Sequence, residues 1–387
     1  MTNDVRAAVK RAVLPVLMIL PVFAVLEGFG YALCPAAMLG GAVSSTANRI
    51  GWIFARTASA VYDNRGFLFA VCTGYMLSGK KLSGAMAGLG AVLLFNSFSS
   101  LPFFAVFYPS VPDSDLSMLA LYGPGACTGI LLGAASVFVL NRCSFRNHPM
   151  RSVLLSAFCM AGFSVVLTAV RILLFHAAAR LGDLIITLGI PGAGVYAFLN
   201  RLLSPFELHR ALNYAVLYEN GAGDMTRFWA LVTEGDPGRY MSGFFPVMMF
   251  GVPMLCGMLY RKAGKGSVFR RFLLLCALAS YSCGLCEPLE YWLLLTSPLH
   301  YLLYSAVYGL SAWLSAAVGF RAGFACSGGF TDLLFSGPMP AARNTWMVIP
   351  LGLLCAALFF LLFRRLQTDN ETELDIIEPD NMEDNRQ

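Results

Sequence analysis

Long apolar runs separated by short polar connections are the feature that most limits how this chain can fold. Eight runs approach or exceed the twenty or so residues that cross roughly 30 Å of hydrocarbon, and two are shorter. With 57% hydrophobic and only 13% charged residues, the chain has too little polar surface to cover a soluble globule. The sequence therefore predicts an all-α polytopic membrane protein of eight to ten spans, about ten if both short runs cross. The runs are Val13–Leu33, Ala85–Phe107, Ser117–Leu140, Ser152–Ala179, Tyr240–Tyr260, Phe272–Thr296, Pro298–Phe320 and Thr345–Phe363, with shorter ones at Phe67–Leu77 and Leu184–Phe198.

Several of these runs contain proline and glycine, as in "YGPGACTGILLGAAS" (122–136) and "FFPVMMFGVPMLCG" (244–257). A membrane helix tolerates such breaks only where neighbouring elements or a cavity satisfy the freed backbone groups. A packed bundle with broken helices follows. The first apolar run has no small-residue cleavage pattern after "MTNDVRAAVKR" and is predicted to be a retained helix.

The charge distribution predicts an orientation. Residues 368–387 carry eight carboxylates and one arginine, so the remaining 367 residues hold 26 basic and 14 acidic side chains. This acidic tail, 367–387, is polar enough to be disordered. Basic residues gather in short connections that should be cytoplasmic together with both termini, whereas 108–117 has acids and no base and should face outside. The basic groups are Arg6, Lys10 and Arg11; Lys80 and Lys81; Arg142, Arg146 and Arg151; 261–271; and Arg364–Arg365.

A change in pattern near residue 180 divides the chain into two halves, 1–180 and 181–366. The first half reads as ordinary hydrophobic helices. In the second, apolar segments alternate with compact polar insertions: "NRLLSPFELHRALNY" (200–214), "TEGDPGRYMSGFFP" (233–246), "CGLCEPLEYW" (283–292) and "CSGGFTDLL" (326–334). Ionisable residues at membrane depth are costly and normally face a cavity or a partner, so the second half is predicted to hold the functional site.

Glu287 and His209 are the first candidate site residues. Gly284 and Pro288 bracket Glu287 and interrupt the helix, which leaves backbone groups free beside a carboxylate that could accept a sugar hydroxyl. Alternatively, Glu287 forms a structural ion pair with one of three arginines, Arg201, Arg210 or Arg239. His209 either lines a cavity or is a structural residue at a helix end.

Other chemistries have little support in the sequence. The pair Cys283 and Cys286 has CxxC spacing, but no second pair or nearby histidine accompanies it, so buried reduced thiols are the simpler interpretation. The segment "EGDPGRYMSG" (234–243) has residues that favour a turn, and no phosphate-binding GxxxxGK[ST] motif occurs. We expect no metal, no cofactor and no nucleic-acid partner.

With these residues identified, the sequence resembles the membrane component, enzyme IIC, of the glucose and N-acetylglucosamine branch of the bacterial phosphoenolpyruvate-dependent sugar phosphotransferase system. "FLNRLLSPFELHRALNY" is similar to the family's NRLLIPFGLHH, and "GDPGRYMSGFFPVMMFGVP" to its GDPTAGxFMxGFFPIMMFGLP. "CGLCEPLEYW" resembles TGITEPIEF, "CSGGFTDLL" resembles FSAGLIDF, and "YDNRGFLFAVCTGYMLS" resembles FDNLPLLFAxGxAxGLS. The likeness extends from about Leu14 to Leu366, with the motifs in the same order.

The resemblance implies a homodimer in the bacterial cytoplasmic (inner) membrane, with a scaffold half and a mobile, sugar-carrying half that contains two re-entrant hairpins. It implies that His209 and Glu287 hold the sugar, with Glu287 at the hydroxyl that receives the phosphoryl group from a separate IIB domain, itself supplied by IIA. Arg201, Asn213 and Asp236 are further candidates for the substrate site.

The departures from the family pattern leave two functions open. GLHH is ELHR here, GITEP is GLCEP and GDPTAG is shortened to GDPG. The preferred interpretation is a permease for N-acetylglucosamine or glucose, with stacking aromatics expected among Trp229, Tyr240 and Trp292. The alternative is a membrane sugar sensor or regulatory subunit that binds sugar without efficient coupled transport.

Overall fold

The computed structural model describes residues 2–109, 111, 123–143, 149–218 and 223–366, and these are almost entirely helical. Among them the only β pairing is an isolated bridge between Arg321 and Arg343. In the first half the helices are α1 Thr2–Leu33, α2 Ala36–Leu39, α3 Thr46–Tyr62, α4 Arg65–Leu77, α5 Leu82–Phe98, α6 Leu101–Phe107 and α7 Ala126–Arg142, followed by α8 Pro149–Thr187, which continues past residue 180 into the second half. In the second half they are α9 Ile190–Leu203, α10 His209–Asn213, α11 Asp224–Trp229, α12 Phe244–Lys262, α13 Val268–Cys283, α14 Glu287–Thr296, α15 Pro298–Ala317, α16 Phe330–Ser336 and α17 Val348–Phe363. The predicted all-α class is confirmed.

Small residues bring the helices of the first half into backbone contact. A Cβ placed on Gly129 of α7 would lie 2.2 Å from the carbonyl oxygen of Gly66 in α4, and one on Gly88 of α5 would lie 2.4 Å from that of Ala70. Such close crossings are typical of membrane bundles, where helices associate by packing rather than by excluding water. The three helices α4, α5 and α7 therefore form one tightly packed unit.

Breaks in the helices of the second half place polar residues inside the protein. After α9 the chain makes a 3-10 turn, Ser204–Phe206, and then a left-handed residue, Glu207 with φ 62°, before α10 begins. The helix α12 contains a π-turn at Val247–Gly251, as the proline and glycine of this segment led us to expect. The left-handed Gly284, with φ 75°, ends α13 and lets the chain turn into α14 at Glu287. The polar insertions thus lie at helix ends that face one another.

The predicted number of spans is not confirmed. In the described part of the chain four helices are long and apolar enough to cross a membrane, or five if α5 and α6, bent by 56°, form one span. Several predicted spans are shorter or broken helices, because glycine and proline end them early. The twenty-residue α15 falls outside this set, since His300, its tyrosines and its serines lower its hydropathy. Those spanning candidates are Val9–Leu33, Met150–Thr187, Phe244–Lys262 and Thr345–Phe363.

Two predictions fall outside the described residues. Almost all of the segment expected to face outside, 108–117, is one, and the acidic tail, 367–387, is the other. The division of the chain at residue 180 and the mobility of the second half stay predictions, as do the re-entrant hairpins.

Candidate functional site

Four of the five predicted site residues line one cavity of about 120 Å³ in the second half: Arg201, His209, Asn213 and Glu287. The helix α9 contributes Arg201, α10 contributes His209 and Asn213 at its two ends, and α14 begins with Glu287. Two more residues of α9 and residues of three further segments complete the wall: Tyr196 and Asn200, then Phe244, Gly284, Leu285, Cys286, Phe324, Cys326 and Ser327. The cavity is thus built by the polar insertions that the sequence singled out.

Two polar atoms at this cavity are buried and have no hydrogen-bond partner in the structure: Oε2 of Glu287 and Nδ1 of His209. Buried polar atoms in proteins are nearly always hydrogen-bonded, so such a pair needs an explanation. A carboxylate oxygen accepts a hydroxyl, and an imidazole nitrogen accepts or donates according to its tautomer. Together they fit a ligand that presents hydroxyl groups.

Glu287 does not form the structural ion pair that the sequence suggested as its alternative. Among the described residues it pairs instead with Arg65 of the first half, whose NH2 lies 3.8 Å from its Oε1. The three arginines named as partners each bind another carboxylate. Arg201 pairs with Glu290, Arg210 with Glu207 and Arg239 with Asp236.

A series of buried charged side chains lies beside the cavity and connects the two halves. Arg65, only 4% exposed, places NH2 2.8 Å from Oε1 of Glu207, and its NH1 donates to the carbonyl oxygen of Tyr62 at 2.7 Å. The other oxygen of Glu207 lies 2.8 Å from Nε of Arg210. Glu207 is therefore held between two guanidinium groups, and Arg65 in turn reaches toward Glu287. Glu207 was recognisable in the sequence as a departure from the family pattern, whereas Arg65, in the segment "YDNRGFLFAVCTGYMLS", was not identified as a site residue.

A second ion pair, also missed from the sequence, fixes the position of Arg201. Its NH1 lies 3.0 Å from Oε1 of Glu290, which is 1% exposed. Ser204 and Tyr304 also donate to Glu290, at 3.3 and 3.0 Å. The guanidinium carbon of Arg201 lies 5.2 Å from the ring centre of Phe244. The sequence did contain a signal for it. In "EPLE", Glu287 and Glu290 are three residues apart, a spacing that places both carboxylates on the same face of a helix.

An amide network supports Asn213. Its Oδ1 accepts hydrogen bonds from the Tyr196 hydroxyl, at 2.7 Å, and from Nδ2 of Asn200. The Oδ1 of Asn200 accepts from Nε and NH2 of Arg201, at 3.1 and 3.0 Å. Asn213, Asn200 and Arg201 are thus oriented as one unit along the wall of the cavity, through contacts that do not require a ligand.

Asp236 is not among the cavity-lining residues and lies outside the candidate spans. It accepts hydrogen bonds from Arg321, at 2.7 and 2.6 Å, from Arg239 at 2.9 Å, and from Arg343. Burial acts to raise the pKa of Asp236, but the hydrogen bonds and charges of Arg321 and Arg239 outweigh it and hold the pKa below its ordinary value. These contacts join the turn at 234–243 to the segments around 321 and 343, so the geometry gives Asp236 a structural role.

The aromatic residues at the cavity also differ from those expected. Tyr196, Phe244 and Phe324 line it, whereas none of Trp229, Tyr240 and Trp292 does. The indole of Trp229 donates instead to the carbonyl oxygen of Phe324 at 3.1 Å.

The CxxC cysteines are both free and buried. Cys286 donates to Glu290 at 3.1 Å, and Cys283 donates to the carbonyl oxygens of Ala24 and Ala279. Within the described ranges no group of three or more His, Cys, Asp or Glu side chains is arranged to hold a metal ion.

Comparison with known proteins gives a family and several relatives. The sequence model of the family described as "Phosphotransferase system, EIIC" matches residues 10–309. The chain is 32% identical over 327 residues to the N-acetylglucosamine-specific EIICBA component of Klebsiella pneumoniae, covering 80% of this chain and 48% of that protein. It is 27% identical over 339 residues to the glucose-specific EIICBA component of Staphylococcus carnosus (79% and 50%). It is also 27% identical over 345 residues to the N-acetylglucosamine-specific EIIC component of Streptomyces coelicolor, covering 81% of each. The chain spans about half the length of the first two relatives.

Proposed function

This chain belongs to the phosphotransferase system EIIC family, and on that premise we propose that it is a sugar permease of the bacterial cytoplasmic membrane. Its apolar helices and its family make it a membrane protein. The proposed substrate is N-acetylglucosamine or glucose, bound in the cavity of Glu287 and His209. The observation that carries the proposal is the pair of buried, unpartnered polar atoms on these two residues.

The proposed site binds the sugar through its hydroxyl groups. Oε2 of Glu287 accepts one hydroxyl, and Nδ1 of His209 contacts another. Arg201 and Asn213 are already oriented by Glu290, Asn200 and Tyr196, so the site needs little ordering when sugar enters. The apolar sugar face packs on Phe244 or Phe324, which replace the aromatics expected from the sequence.

The proposed chemistry is transfer of a phosphoryl group to the bound sugar by a partner. The sugar 6-hydroxyl attacks the phosphorus of a phosphocysteine on a IIB domain, the sulfur–phosphorus bond breaks as the oxygen–phosphorus bond forms, and the hydroxyl proton passes to Glu287. This chain positions and polarises the acceptor. The related EIICBA proteins carry in their names the B and A components that would supply the phosphoryl group.

The proposed transport step moves residues 181–366 against 1–180 in a homodimer with both termini in the cytoplasm. The contacts of Arg65 with Glu207 and Glu287 are the charged contacts at the site that would change in such a movement. The acidic segment 367–387 is proposed to be a cytoplasmic tail.

Sugar binding to the purified protein tests the site. We expect one of N-acetylglucosamine, glucose and maltose to bind, and Glu287→Gln and His209→Ala each to weaken binding about tenfold, the equivalent of 1.4 kcal/mol. The matched control is Glu234→Gln, an exposed carboxylate of the same half. The proposal would be refuted if no sugar bound, or if neither site substitution changed the affinity for the sugar.

Uptake then separates the permease from the sensor. Membrane vesicles that contain this chain and a phosphorylated IIB partner should accumulate sugar phosphate. Sugar binding without accumulation would favour the sensor or regulatory subunit.

A further inference from the structure

A groove of about 390 Å³ lies in the first half, and none of its lining residues lines the sugar cavity. Three helices form it: α5 along most of its length, the end of α7, and the beginning of α8. The lining residues are Ser83, Met86, Ala87, Gly90, Ala91, Leu94, Ser136, Leu140, Val153, Ser156, Ala157 and Met160. The groove is thus an apolar channel between helices of a membrane protein, with a few hydroxyl groups.

The same three helices bring positive charge to one end of this groove. The segment before α5 carries Lys80 and Lys81, the last turn of α7 carries Arg142, and the first turn of α8 carries Arg151. All four side chains are exposed. The described residues 78–100, 126–143 and 149–160 contain no aspartate or glutamate, so this end of the groove has one sign of charge.

The length of the groove fits one leaflet. From Ser83 to Leu94 along α5 the rise is about 16 Å, against about 15 Å for half of a bilayer's hydrocarbon core. The charged end lies at Ser83, where an interface would be, and the apolar end at Leu94, at the depth of the bilayer centre. One of the polar lining residues is Ser156, whose Oγ is buried and has no hydrogen-bond partner in the structure.

We propose that this groove binds one phospholipid with an anionic headgroup. One acyl chain lies along α5 between Met86, Leu94 and Met160, and the phosphate contacts the basic residues at the end of the groove. Basic pockets between membrane helices bind anionic headgroups in this way. Ser156 is placed to donate a hydrogen bond to an ester oxygen of the lipid, the group that joins headgroup and acyl chain.

Native mass spectrometry of the detergent-purified full chain tests the proposal, with phosphatidylglycerol and phosphatidylcholine of the same acyl chains as probes. We expect phosphatidylglycerol to be retained preferentially. In Lys81→Gln with Arg151→Gln, retention should fall about fivefold for each base removed, since a basic residue near an anionic surface contributes about 1 kcal/mol. The control double variant, Lys265→Gln with Arg271→Gln, removes two exposed bases of the second half and should retain the lipid.

Filling the groove gives an independent measurement. A Cβ on Gly90 meets no atom within 4 Å, so Gly90→Leu enters the groove without a clash, and Gly162 of α8 offers the same open surroundings outside the groove. Gly90→Leu should weaken retention of both lipids, whereas Gly162→Leu should weaken neither. Equal retention of the two lipids by the wild type, or no loss in the charge variant, would overturn the proposal. So would a Gly90→Leu protein that loses its oligomeric state but keeps phosphatidylglycerol, because a second copy would then occupy the groove.

Discussion

The ion pair between Arg65 and Glu207 leads to a prediction about the coupling of the two halves. In Arg65→Leu, Glu207 keeps Arg210, but Glu287 loses the only cation that the described residues place within 4 Å of it. Removing one partner of a buried pair costs about 3–5 kcal/mol of unfolding free energy, and we expect the lower value because Arg210 remains. In Glu207→Gly, Arg65 keeps the Tyr62 carbonyl and the more distant Glu287. The unfolding free energy should fall by only about 2 kcal/mol, because glycine adopts the left-handed φ at this position without the strain that glutamate has there.

The double variant Arg65→Leu with Glu207→Gly should be much more stable than the sum of its parts. It removes both charges together. The leucine and the glycine that it introduces are also the residues at these positions in the similar family segments, FDNLPLLFA and NRLLIPFGLHH. A loss of about 1–2 kcal/mol for the double variant, against about 5 kcal/mol for the two single variants together, gives a coupling energy of about 3–4 kcal/mol.

The free energy of unfolding of the wild type, the two single variants and the double variant can be measured by SDS titration in mixed micelles. A parallel cycle of Arg65→Leu with Asp236→Asn serves as control, because the two residues share no bonding partner in the structure and should be additive. A coupling energy below about 0.5 kcal/mol for Arg65 and Glu207 would refute the reasoning, since the pair would then contribute nothing that two isolated charges do not.

Three further predictions concern single contacts. Glu290→Gln should lower the unfolding free energy by about 3 kcal/mol, because Arg201 would keep its charge without a carboxylate, and an unchanged SDS midpoint would contradict this. Gly129→Ala should destabilise the protein by about 1–3 kcal/mol because its Cβ meets a carbonyl oxygen, whereas Gly162→Ala in open space should not; equal thermal stability of the two would contradict the helix contact. Asp236→Asn should lower the melting temperature at neutral pH, and the deficit should shrink as the pH falls below about 4. The folded pKa is depressed, so the stabilisation is present above the unfolded value and is lost on acidification; a deficit independent of pH would argue against the arginine contacts.

The helical class, which is confirmed, and the segments that line the candidate cavity were easier to predict from the sequence than the contacts within that cavity. Glu287 and His209 could be singled out because an ionisable residue in an apolar chain is costly and normally faces a cavity or a partner, whereas their proposed roles at the sugar came from the family resemblance. Arg201 and Asn213 followed from the same segment. The breaks themselves were readable from proline and glycine, and the structure has them at Gly284 and in the π-turn of α12.

The pairing of charges could not be predicted in the same way. Arg201 lies one residue from Asn200 and 89 positions from Glu290, and only the packing of α9, α14 and α15 decides that it pairs with Glu290 rather than Glu287. Asp236 illustrates the same limit. Its place in a family motif suggested the substrate site, but three arginines from three segments surround it.

The number of spans was not predictable from apolar length alone. An apolar run occurs both where a helix is buried in protein and where it contacts lipid, so its length does not distinguish the two. Several runs in the second half are short helices packed inside the bundle. The long helix α8 shows the opposite case, because it is almost uncovered within one copy of the chain: only 17% of its most apolar window is buried.

The length of α8 makes the thickness of the surrounding bilayer a variable for this protein. Its 39 residues extend about 58 Å, nearly twice the hydrocarbon core. Even at a tilt of 40°, the upper end of the usual range, it would rise about 44 Å along the membrane normal. The helix must therefore thicken the lipid around it, run on along the interface or extend beyond the bilayer. The first two responses cost energy that depends on acyl-chain length, so for them lipids of different length should shift the conformational balance of the protein without any change in its sequence.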